Sequence, residues 1–527
     1  MRGGRSVSNV IRGITPARDA HPAATLQVPA PYDGWNARGN LTNMKPTEAI
    51  VMDNIFPGVQ EVSLRAGMAA WKTGFAANVH SLLVYNGTTT TKMWAVTDAG
   101  FYDATAAGAV GAAVAACTNG YWETVNFATP GGSYALYANG VDNIKLYDGT
   151  VWETVTGVSA HAITGIATTS LMSPALHKSR VWFIEKNSMN LWYLPTGAIA
   201  GVATSFPIGS LFRRGGKVLA ISNWTLDGGT GQDDYFVIIT TRGEAAVYQG
   251  TDPASASTWS LIGIYDVGLP VGKKPLTSFG GDLLYLSQTG LFPMTKLLQS
   301  AILTRTSAFS YKIDGAFLDA TTTYLNNTGW EMIVYRSGNF LLVNIPISND
   351  AVSYQYVMNT ITGAWCRFTN WNATCWALMG TELYFGGGTS VSHANVGTSD
   401  NGVAITGTCA QAYVALGSGS QKQISMIRPN FSIAGRASLS MALDSDFKTF
   451  SGQTQVSYTD GMASSLWDSA IWDTSLWPSG LIPVEPKWET IPGEPGFMHS
   501  FRMQLTTSEA SFTWTSLNYA FQSIGIL

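Results

Sequence analysis

Short apolar runs recur along the middle of the chain, and each run ends in a tight-turn signal. The clearest example is residues 133–140, which end in Asn-Gly, followed by residues 143–155, which contain Tyr-Asp-Gly and then Val-Trp. Asn-Gly and Asp-Gly supply the positive backbone angles that tight hairpin turns require. The pattern predicts three short antiparallel strands here, and such a unit is typical of one blade of a β-propeller.

Seven units of this kind lie between residues 81 and 393. The aromatic residues that mark one strand of successive units are Tyr102, Tyr147, Tyr193, Tyr248 and Phe292, at intervals of 45, 46, 55 and 44 residues. Propeller blades span roughly 40–50 residues, so these intervals fit a propeller with loop insertions. Because ring closure often merges the first and last units, we expect six blades. The alternative is a β-sandwich or a β-solenoid, but short strands of that kind would bring turns about every 8–12 residues.

The pattern changes on both sides of these units. We predict a flexible arm over residues 1–35, a connecting segment with a short helix and a strand over 36–70, the propeller over 71–400 and a β-sandwich over 401–527. The helix is predicted from Thr47 as its N-cap, with Pro46 before it. The sandwich is predicted because residues 437–443 and 500–505 alternate apolar and polar residues, as strands with one buried face do.

The N-terminal arm is the first candidate for a contact with another molecule. Its first 22 residues carry Arg2, Arg5, Arg12 and Arg18, with Asp19 as the one acidic residue. A segment of this composition has no core of its own. It either becomes ordered on a neighbouring subunit or on DNA phosphate, or remains a frayed terminus.

The second candidate is a tryptophan-rich segment near the C-terminus. Trp467, Trp472 and Trp477 recur every five residues, a spacing that fits neither a helix nor a strand, so we expect a looped excursion with aromatic anchors. Tryptophan is favoured at the centres of interfaces. The three side chains pack on a neighbouring subunit, on their own sandwich, or on both.

Composition points to a large protein that works in an assembly. Hydrophobic residues make up 46% of the 527 residues and charged residues only 12%, about half of the usual share of charged residues. A lone monomer with so few charges would be poorly solubilised. With a formal net charge of −4, the chain lacks the excess of basic residues that specific nucleic-acid binders carry. The apolar run at residues 104–117 is too short to span a bilayer, so we expect no membrane insertion.

Motifs of the common enzyme classes are missing from the sequence. There is no G-x-S-x-G, P-loop, H-E-x-x-H or complete Rossmann fingerprint, and the four cysteines form no C-x-x-C pair. Asp227, Asp233 and Asp234 flank a Gly-rich turn, but their spacing does not match a calcium loop, and turn chemistry is the preferred explanation. Residues 398–402 match only the first half of a sialidase-type Asp-box. We expect no enzyme activity, no cofactor and no metal.

The arrangement resembles a family of phage proteins. The Ser-Leu-Arg-Ala-Gly stretch at residues 63–67, the irregular blades and a C-terminal β domain with Asp-Ser-Asp at 444–446 resemble the tail nozzle proteins of short-tailed bacteriophages. That family includes packaged-DNA stabilisation proteins. The most similar stretches are residues 234–250, 341–346 and 362–368. The resemblance is spread over residues 60–520, consists of pattern rather than invariant motif, and carries over no catalytic residue.

The resemblance implies a structural protein of the virion tail, made in the host cytoplasm. It implies a ring, commonly a homo-hexamer, below the portal and its adaptor (the head-to-tail connector), with tail fibre or needle proteins as further partners. Such a ring closes or extends the channel through which double-stranded DNA leaves. Six copies at −4 each give −24, which would discourage DNA from sticking to the lumen wall.

Two other functions compete with this interpretation. One is a glycan-binding propeller that attaches to host cells through aromatic platforms, and the other is a hydrolase. For the ring, the candidate interface residues are those of the two segments described above: Arg2, Arg5, Arg12, Trp467, Trp472 and Trp477.

Overall fold

The computed structural model describes residues 23–227, 232–299, 305–417, 419–458, 482–483 and 487–525. These residues are mostly β-strand, arranged as a ring of seven small sheets with a two-sheet sandwich joined to it. The fold is an all-β propeller with a C-terminal sandwich, which confirms the fold class that the hairpin signals predict.

Each blade is an antiparallel sheet. In blades 1 to 6 the strands run in chain order from the ring axis outward, and blade 7 takes its outer strand from the segment before blade 1. Blades 1 to 4 consist of Ser81–Asn86, Thr91–Thr97, Gly100–Asp103 and Ala115–Ala116; Glu123–Thr129, Gly132–Ala138, Lys145–Tyr147 and Trp152–Thr154; Leu171–His177, Arg180–Glu185, Asn190–Tyr193 and Thr204–Pro207; and Val218–Asp227, Gln232–Thr240, Glu244–Gly250 and Trp259–Asp266. Blades 5 to 7 consist of Leu276–Phe279, Asp282–Ser287 and Gly290–Pro293; Glu331–Tyr335, Phe340–Pro346, Ser353–Asn359 and Trp365–Phe368; and Cys375–Met379, Glu382–Gly387, Ser390–Ala394 and Met68–Thr73.

The turns of blade 2 form as their sequence predicts. Gly140 and Gly149 have φ angles of 69° and 98°, which glycine adopts at little cost. Asp148 Oδ1 accepts hydrogen bonds of 2.7 Å from the backbone N–H groups of Thr150 and Val151, an Asx turn that fixes the second hairpin.

The ring has seven blades, so the expectation of six is wrong. The last blade is completed by Met68–Thr73, which pairs antiparallel with Ser390–Ala394. Closure therefore does merge the two ends of the propeller. It uses a strand that lies before the first of the seven repeat units, so no unit is lost from the count.

The sandwich is built from both ends of the chain. Its first sheet contains Gly34–Trp35, Glu48–Asp53, Ile405–Gln411, His499–Thr507, Ala437–Ser445 and Thr454–Tyr458; its second contains Ala24–Pro29, Ile55–Pro57, Val62–Leu64, Ser511–Gly525, Gln421–Ala434, Ile482–Pro483 and Glu489–Thr490. Met503 and Trp514, one from each sheet, are fully buried between the sheets.

Two expectations for the N-terminal region are wrong. The predicted helix at Thr47 is instead the strand Glu48–Asp53, because its β-branched residues fit a strand and its backbone pairs with Ile405–Gln411. One short 3₁₀ turn, Leu41–Asn43, precedes it. The arm does not extend to residue 35, because Ala24–Pro29 pairs antiparallel with Ser511–Gly525. Arg2, Arg5, Arg12, Trp467, Trp472 and Trp477 lie outside the described residues.

Helical segments are few in the described part of the chain. The α-helices are Met294–Gln299 and Asp314–Tyr324, and the other 3₁₀ turns are Thr168–Ser170, Gly209–Leu211, Arg305–Ser307 and Phe309–Ile313. Small two-residue pairings join Ile163–Thr164 to Gly201–Val202 and Gly108–Ala109 to Met68–Thr73. No helix within the described ranges is long and apolar enough to span a membrane.

The cores of the ring and of the sandwich are continuous on one side of the molecule. Blades 1 to 4 enclose separate apolar clusters between neighbouring blades. Residues of blades 5, 6 and 7 instead share one cluster with both sheets of the sandwich. Blade 6 and the sandwich therefore pack as a single unit.

Candidate functional site

Three cavities lie along the axis of the ring. The central one, of about 440 Å³, is lined by the first strands of all seven blades. A second, of about 390 Å³, opens at the face that carries the connections between blades and shares Glu123, Lys273 and Lys274 with the first. A third, of about 520 Å³, lies between the first strands of blades 3, 4 and 5 at the other mouth. We call this space the channel.

Charged residues in the channel link neighbouring blades. Lys274 Nζ donates to Glu331 Oε1 at 2.8 Å, and Glu331 Oε2 accepts from the backbone N–H of Trp376 at 3.1 Å. Burial opposes the charge on Lys274, but the carboxylates of Glu331 and Glu123 raise its pKa above the ordinary value. Burial raises the pKa of Glu123. The Lys274–Glu331 pair links blade 5 to blade 6, and the hydrogen bond from Trp376 to Glu331 continues the link to blade 7.

Uncharged side chains make the same kind of link around the ring. Asn126 Nδ2 donates to the Val84 carbonyl at 2.9 Å, which joins blades 1 and 2. Thr374 Oγ1 donates to the Val79 carbonyl at 2.6 Å, between blade 7 and blade 1. These two side chains, like the Lys274–Glu331 pair, therefore link neighbouring blades.

A cluster of titratable residues lies at the mouth of the second cavity. His80 Nε2 is 3.4 Å from Asp98 Oδ2, and His80 Nδ1 is 3.4 Å from Asp350 Oδ1. The Tyr121 ring packs against the His80 ring at 4.6 Å between centroids, and Lys273 Nζ lies 4.6 Å from the Tyr121 centroid. The half-buried ring of Tyr121 therefore already contacts two side chains of its own chain.

Reactive chemistry has little support in this cluster. Burial raises the pKa of the nearby Cys375 thiol to about 12, so the thiol stays protonated near neutral pH and is a poor nucleophile. Across the residues that the structure describes, no three His, Cys, Asp or Glu side chains are grouped as a metal site. Asp234, one of the three turn aspartates, accepts hydrogen bonds from Lys178 Nζ at 2.5 Å and Thr225 Oγ1 at 2.8 Å.

The junction between propeller and sandwich is built around Arg65. Its side chain is fully buried, and it holds the two oxygens of Asp400 at 2.8 and 2.6 Å. The remaining N–H groups donate to Asn54 Oδ1 and to the carbonyls of Ala66 and Thr369 at 2.8 to 2.9 Å. Every N–H of the guanidinium is used. The half Asp-box at 398–402 therefore supplies a structural carboxylate.

Blade 6 continues directly into the sandwich at this junction. Asp53, the last residue of Glu48–Asp53, pairs in parallel with Arg367 of the outer strand of blade 6. The Arg367 guanidinium also binds the Asp53 carboxylate at 2.7 and 2.6 Å. The outer edge of blade 6 is thereby closed by the sandwich.

The outer edge of blade 4 is open. Its strand Trp259–Asp266 is eight residues long and exposes Leu261, Ile262 and Ile264 by 37%, 43% and 38%. A bulge at Ile262 places two consecutive aliphatic residues on the surface. Within the described part of the chain, no strand pairs with the outer edge of this one. We call this surface the blade 4 edge.

The other blades protect their outer edges. The outer strands of blades 1, 2 and 3 are two, three and four residues long, and very short edge strands resist pairing with another chain. In blade 5, Ser310 Oγ accepts the backbone N–H of Leu291 at 3.0 Å, and the outer strand of blade 7 is paired with Gly108–Ala109. The blade 4 edge is the exception.

Sequence reasoning missed both Arg65 and the blade 4 edge. An arginine between the apolar Leu64 and Ala66 is a signal for a buried, paired guanidinium. The aliphatic residues Leu261, Ile262 and Ile264 are typical of any strand, and only the sheet order identifies them as an unpaired edge.

Comparisons with known proteins say little about this chain. No family model matches it, and no curated protein matches it. Among solved structures, Raptor from Chaetomium thermophilum is 11% identical with a TM-score of 0.37, over 62% of this chain and 29% of that one. The β-propeller domain of Cps50 (Swd1) from Myceliophteria thermophila is 12% identical with a TM-score of 0.40. YCF48 from Cyanidioschyzon merolae is 10% identical with a TM-score of 0.34. Each of these two matches covers 62% of this chain and 98% of the other chain. The chain thus spans less than a third of Raptor, and likeness at this level carries no argument about function.

Proposed function

We propose that the chain is a structural component of the tail of a short-tailed phage virion, a nozzle or tail-tube protein. Six copies would form a ring below the portal and adaptor that closes or extends the channel for DNA ejection. The family resemblance in the sequence supports this proposal. So does the use of the titratable residues in the channel and at the junction as structural links.

The observation that carries the proposal is the blade 4 edge. Unpaired strand edges and exposed aliphatic residues favour association, and natural proteins usually cover or shorten such edges. Among the residues that the structure describes, this chain does so at its other blades and leaves one long apolar edge without a partner strand. The occupant that we propose is a neighbouring copy of the same chain, packed against Leu261, Ile262 and Ile264.

In this proposal DNA passes between copies and not through one propeller. The cavities on the propeller axis are only about 390 to 520 Å³, and the charged side chains of Lys274 and Glu331 are paired inside the channel between neighbouring blades. A lumen for duplex DNA therefore needs several copies around a common axis. The glycan-binding alternative has less support, since the ring of Tyr121 at the channel mouth already contacts His80 and Lys273.

The experiment is native mass spectrometry and negative-stain microscopy of the full chain, alone and with its adaptor. The double variant Ile262→Lys/Ile264→Lys is compared with Ile361→Lys, which changes an aliphatic residue that is 66% exposed in a turn of blade 6. We expect closed rings for the unchanged chain and the control, and monomers for the double variant. A monomer under all conditions, or rings formed equally by the double variant, would contradict the proposal. Immunogold labelling should find the chain on virion tails, and its absence from purified virions would also contradict it.

A further inference from the structure

A cluster of cationic side chains lies on the face of the ring that carries the mouth of the second cavity. Lys186, Arg213, Lys217 and Arg242 are all exposed. They lie in the turn of blade 3 between its second and third strands, in the connection from blade 3 to blade 4, and in the corresponding turn of blade 4. We call these four residues the cationic arc. It stands out in a chain whose net charge is −4.

Contacts between the loops hold the arc together. Lys217 Nζ donates to Asn187 Oδ1 at 2.8 Å, which places it next to the turn that carries Lys186. Lys217 N donates to Thr241 Oγ1 at 3.2 Å, and Thr241 N donates to the Lys217 carbonyl at 2.9 Å. A Cβ on Gly216 would lie 2.8 Å from Arg242 Cγ. The cations of blades 3 and 4 therefore form one surface.

The nearby carboxylates are bound by groups other than the four cations of the arc. Glu244 accepts the backbone N–H groups of Arg213 and Arg214 at 3.2 and 2.9 Å. Asp266 forms its ion pair with Arg214. Glu185 accepts from the side chains of Asn190 and Trp192, both at 3.0 Å. Among the described residues, none of the four cations of the arc has a carboxylate partner.

The surroundings of the arc indicate what it binds. The surface between the cations is formed by Gly215, Gly216, Asn187 and Thr241, without the apolar centre that most protein interfaces contain. Single-stranded nucleic acid would be held by stacking on aromatic side chains, and these loops present none. Long cationic side chains on a polar surface suit an extended row of phosphates.

We propose that the cationic arc binds the phosphate backbone of double-stranded DNA, weakly and without sequence preference. This deepens the proposed function, since it names the surface of a tail component that touches the DNA. It does not require a net positive protein, because local cations near the phosphates dominate when salt screens the more distant charges.

The test is the salt dependence of binding to a fluorescently labelled duplex, measured by anisotropy with the full chain. Each phosphate contact contributes about −0.9 to the slope of log K against log salt concentration. Four contacts predict a slope of about −3.6, and Arg213→Ala/Arg242→Ala should reduce its magnitude by about half. The matched control is Arg336→Ala/Arg436→Ala, which removes the same charge from two exposed arginines elsewhere and should leave the slope unchanged.

Several outcomes would overturn the inference. The inference fails if the chain does not bind the duplex at low salt, or if both double variants lose the same amount of affinity. It also fails if polyglutamate displaces the labelled duplex as effectively as unlabelled duplex does. Tighter binding of a single strand of the same length would contradict the assignment to duplex DNA. Ring formation is measured separately on the same samples. Loss of DNA binding with intact rings therefore overturns only this inference, and loss of rings with salt-dependent binding overturns only the proposed function.

Discussion

Blades 6 and 4 have the same four-stranded build but opposite outer edges. The outer strand of blade 6, Trp365–Phe368, is buried against the sandwich, and its arginine is paired with Asp53. The outer strand of blade 4, Trp259–Asp266, is twice as long and exposes aliphatic residues. The strand Glu48–Asp53 of the sandwich closes one edge, and no strand in the described ranges pairs with the other. Blade 6 is thus anchored within the molecule, and the contrast is the basis of our proposal that blade 4 serves contacts with a neighbour.

The strongest test of the closed edge is the substitution Asp400→Ala at the junction. It leaves the buried guanidinium of Arg65 without its counter-charge, and removing one partner of a buried pair costs about 3–5 kcal/mol. The free energy of unfolding from urea titration should fall by that amount. The corresponding change near blade 4 is Asp266→Ala. The pair of Asp266 with Arg214 is about half exposed, so its loss should lower the free energy of unfolding by about 0–1 kcal/mol. Equal losses for the two variants would contradict the difference between the edges.

A double variant distinguishes the charge from the packing. Arg65→Met/Asp400→Leu replaces the pair by apolar side chains, which removes the uncompensated charge. We expect part of the stability lost in Asp400→Ala to return, but not all of it, because the Thr369 carbonyl loses its donor. A double variant less stable than Asp400→Ala would refute this role of the charge.

A smaller effect is expected from Arg367→Lys on blade 6. Lysine keeps the charge but cannot reproduce the two parallel hydrogen bonds to Asp53, and the pair is partly exposed. We expect a loss of about 1 kcal/mol in the free energy of unfolding. Arg214→Lys on the blade 4 side should cost less than half of that, because its pair with Asp266 is more exposed. The reverse order would contradict the comparison.

The sandwich that closes blade 6 should lose stability in mild acid. His499 is buried, with Nδ1 3.0 Å from Ser445 Oγ and Nε2 3.1 Å from the Gly496 carbonyl, and burial lowers its pKa. The unfolded chain takes up this proton at about pH 6.5, whereas the folded chain takes it up only at lower pH. The unfolded state thus binds more protons in that window, and the free energy of unfolding falls as the pH falls below about 6.5.

The measurement is urea unfolding at about pH 7.5 and pH 5.5, for the unchanged chain and for His499→Gln. The variant should lose less stability over this interval than the unchanged chain. An identical loss would show that His499 does not contribute to the acid sensitivity of the sandwich.

The smallest effect on the folded monomer is expected at the blade 4 edge itself. Ile262→Lys/Ile264→Lys alters exposed residues, and surface substitutions of this kind stay within about 0.5 kcal/mol each. Thermal unfolding of the dissociated protein should therefore hardly change, although assembly is lost. A loss as large as that of Asp400→Ala would mean that these residues belong to the core.

Local chemistry made the blades predictable from the sequence. Asn139-Gly140 and Asp148-Gly149 form turns in blade 2 because their side chains and positive φ angles act over a few residues. Ring closure by Met68–Thr73 joins segments more than 300 residues apart, and no local pattern marks such a pairing. The cap-like start of Glu48–Asp53 predicts a helix because it is a local signal, whereas the strand's partner, Ile405–Gln411, is distant in the sequence.

The candidate sites were predictable to a smaller extent. The Ser-Leu-Arg-Ala-Gly stretch contains Arg65, but the stretch does not predict its role at the junction, because Thr369 and Asp400, two of its partners, lie more than 300 residues away. The predicted interface residues, Arg2, Arg5, Arg12 and the three tryptophans from Trp467, fall outside the described residues and stay predictions. The cationic arc has no continuous sequence signal, because its four residues come from separate loops that meet only in the ring.

Hydrogen exchange tests the central claim most directly, by comparing the same backbone segments in dissociated and assembled protein. If a neighbouring copy covers the blade 4 edge, the amides of residues 259–266 exchange more slowly in the assembled protein, and those of residues 365–368 exchange equally in both states. Assembled rings in which residues 259–266 exchange as fast as in the monomer would contradict the account.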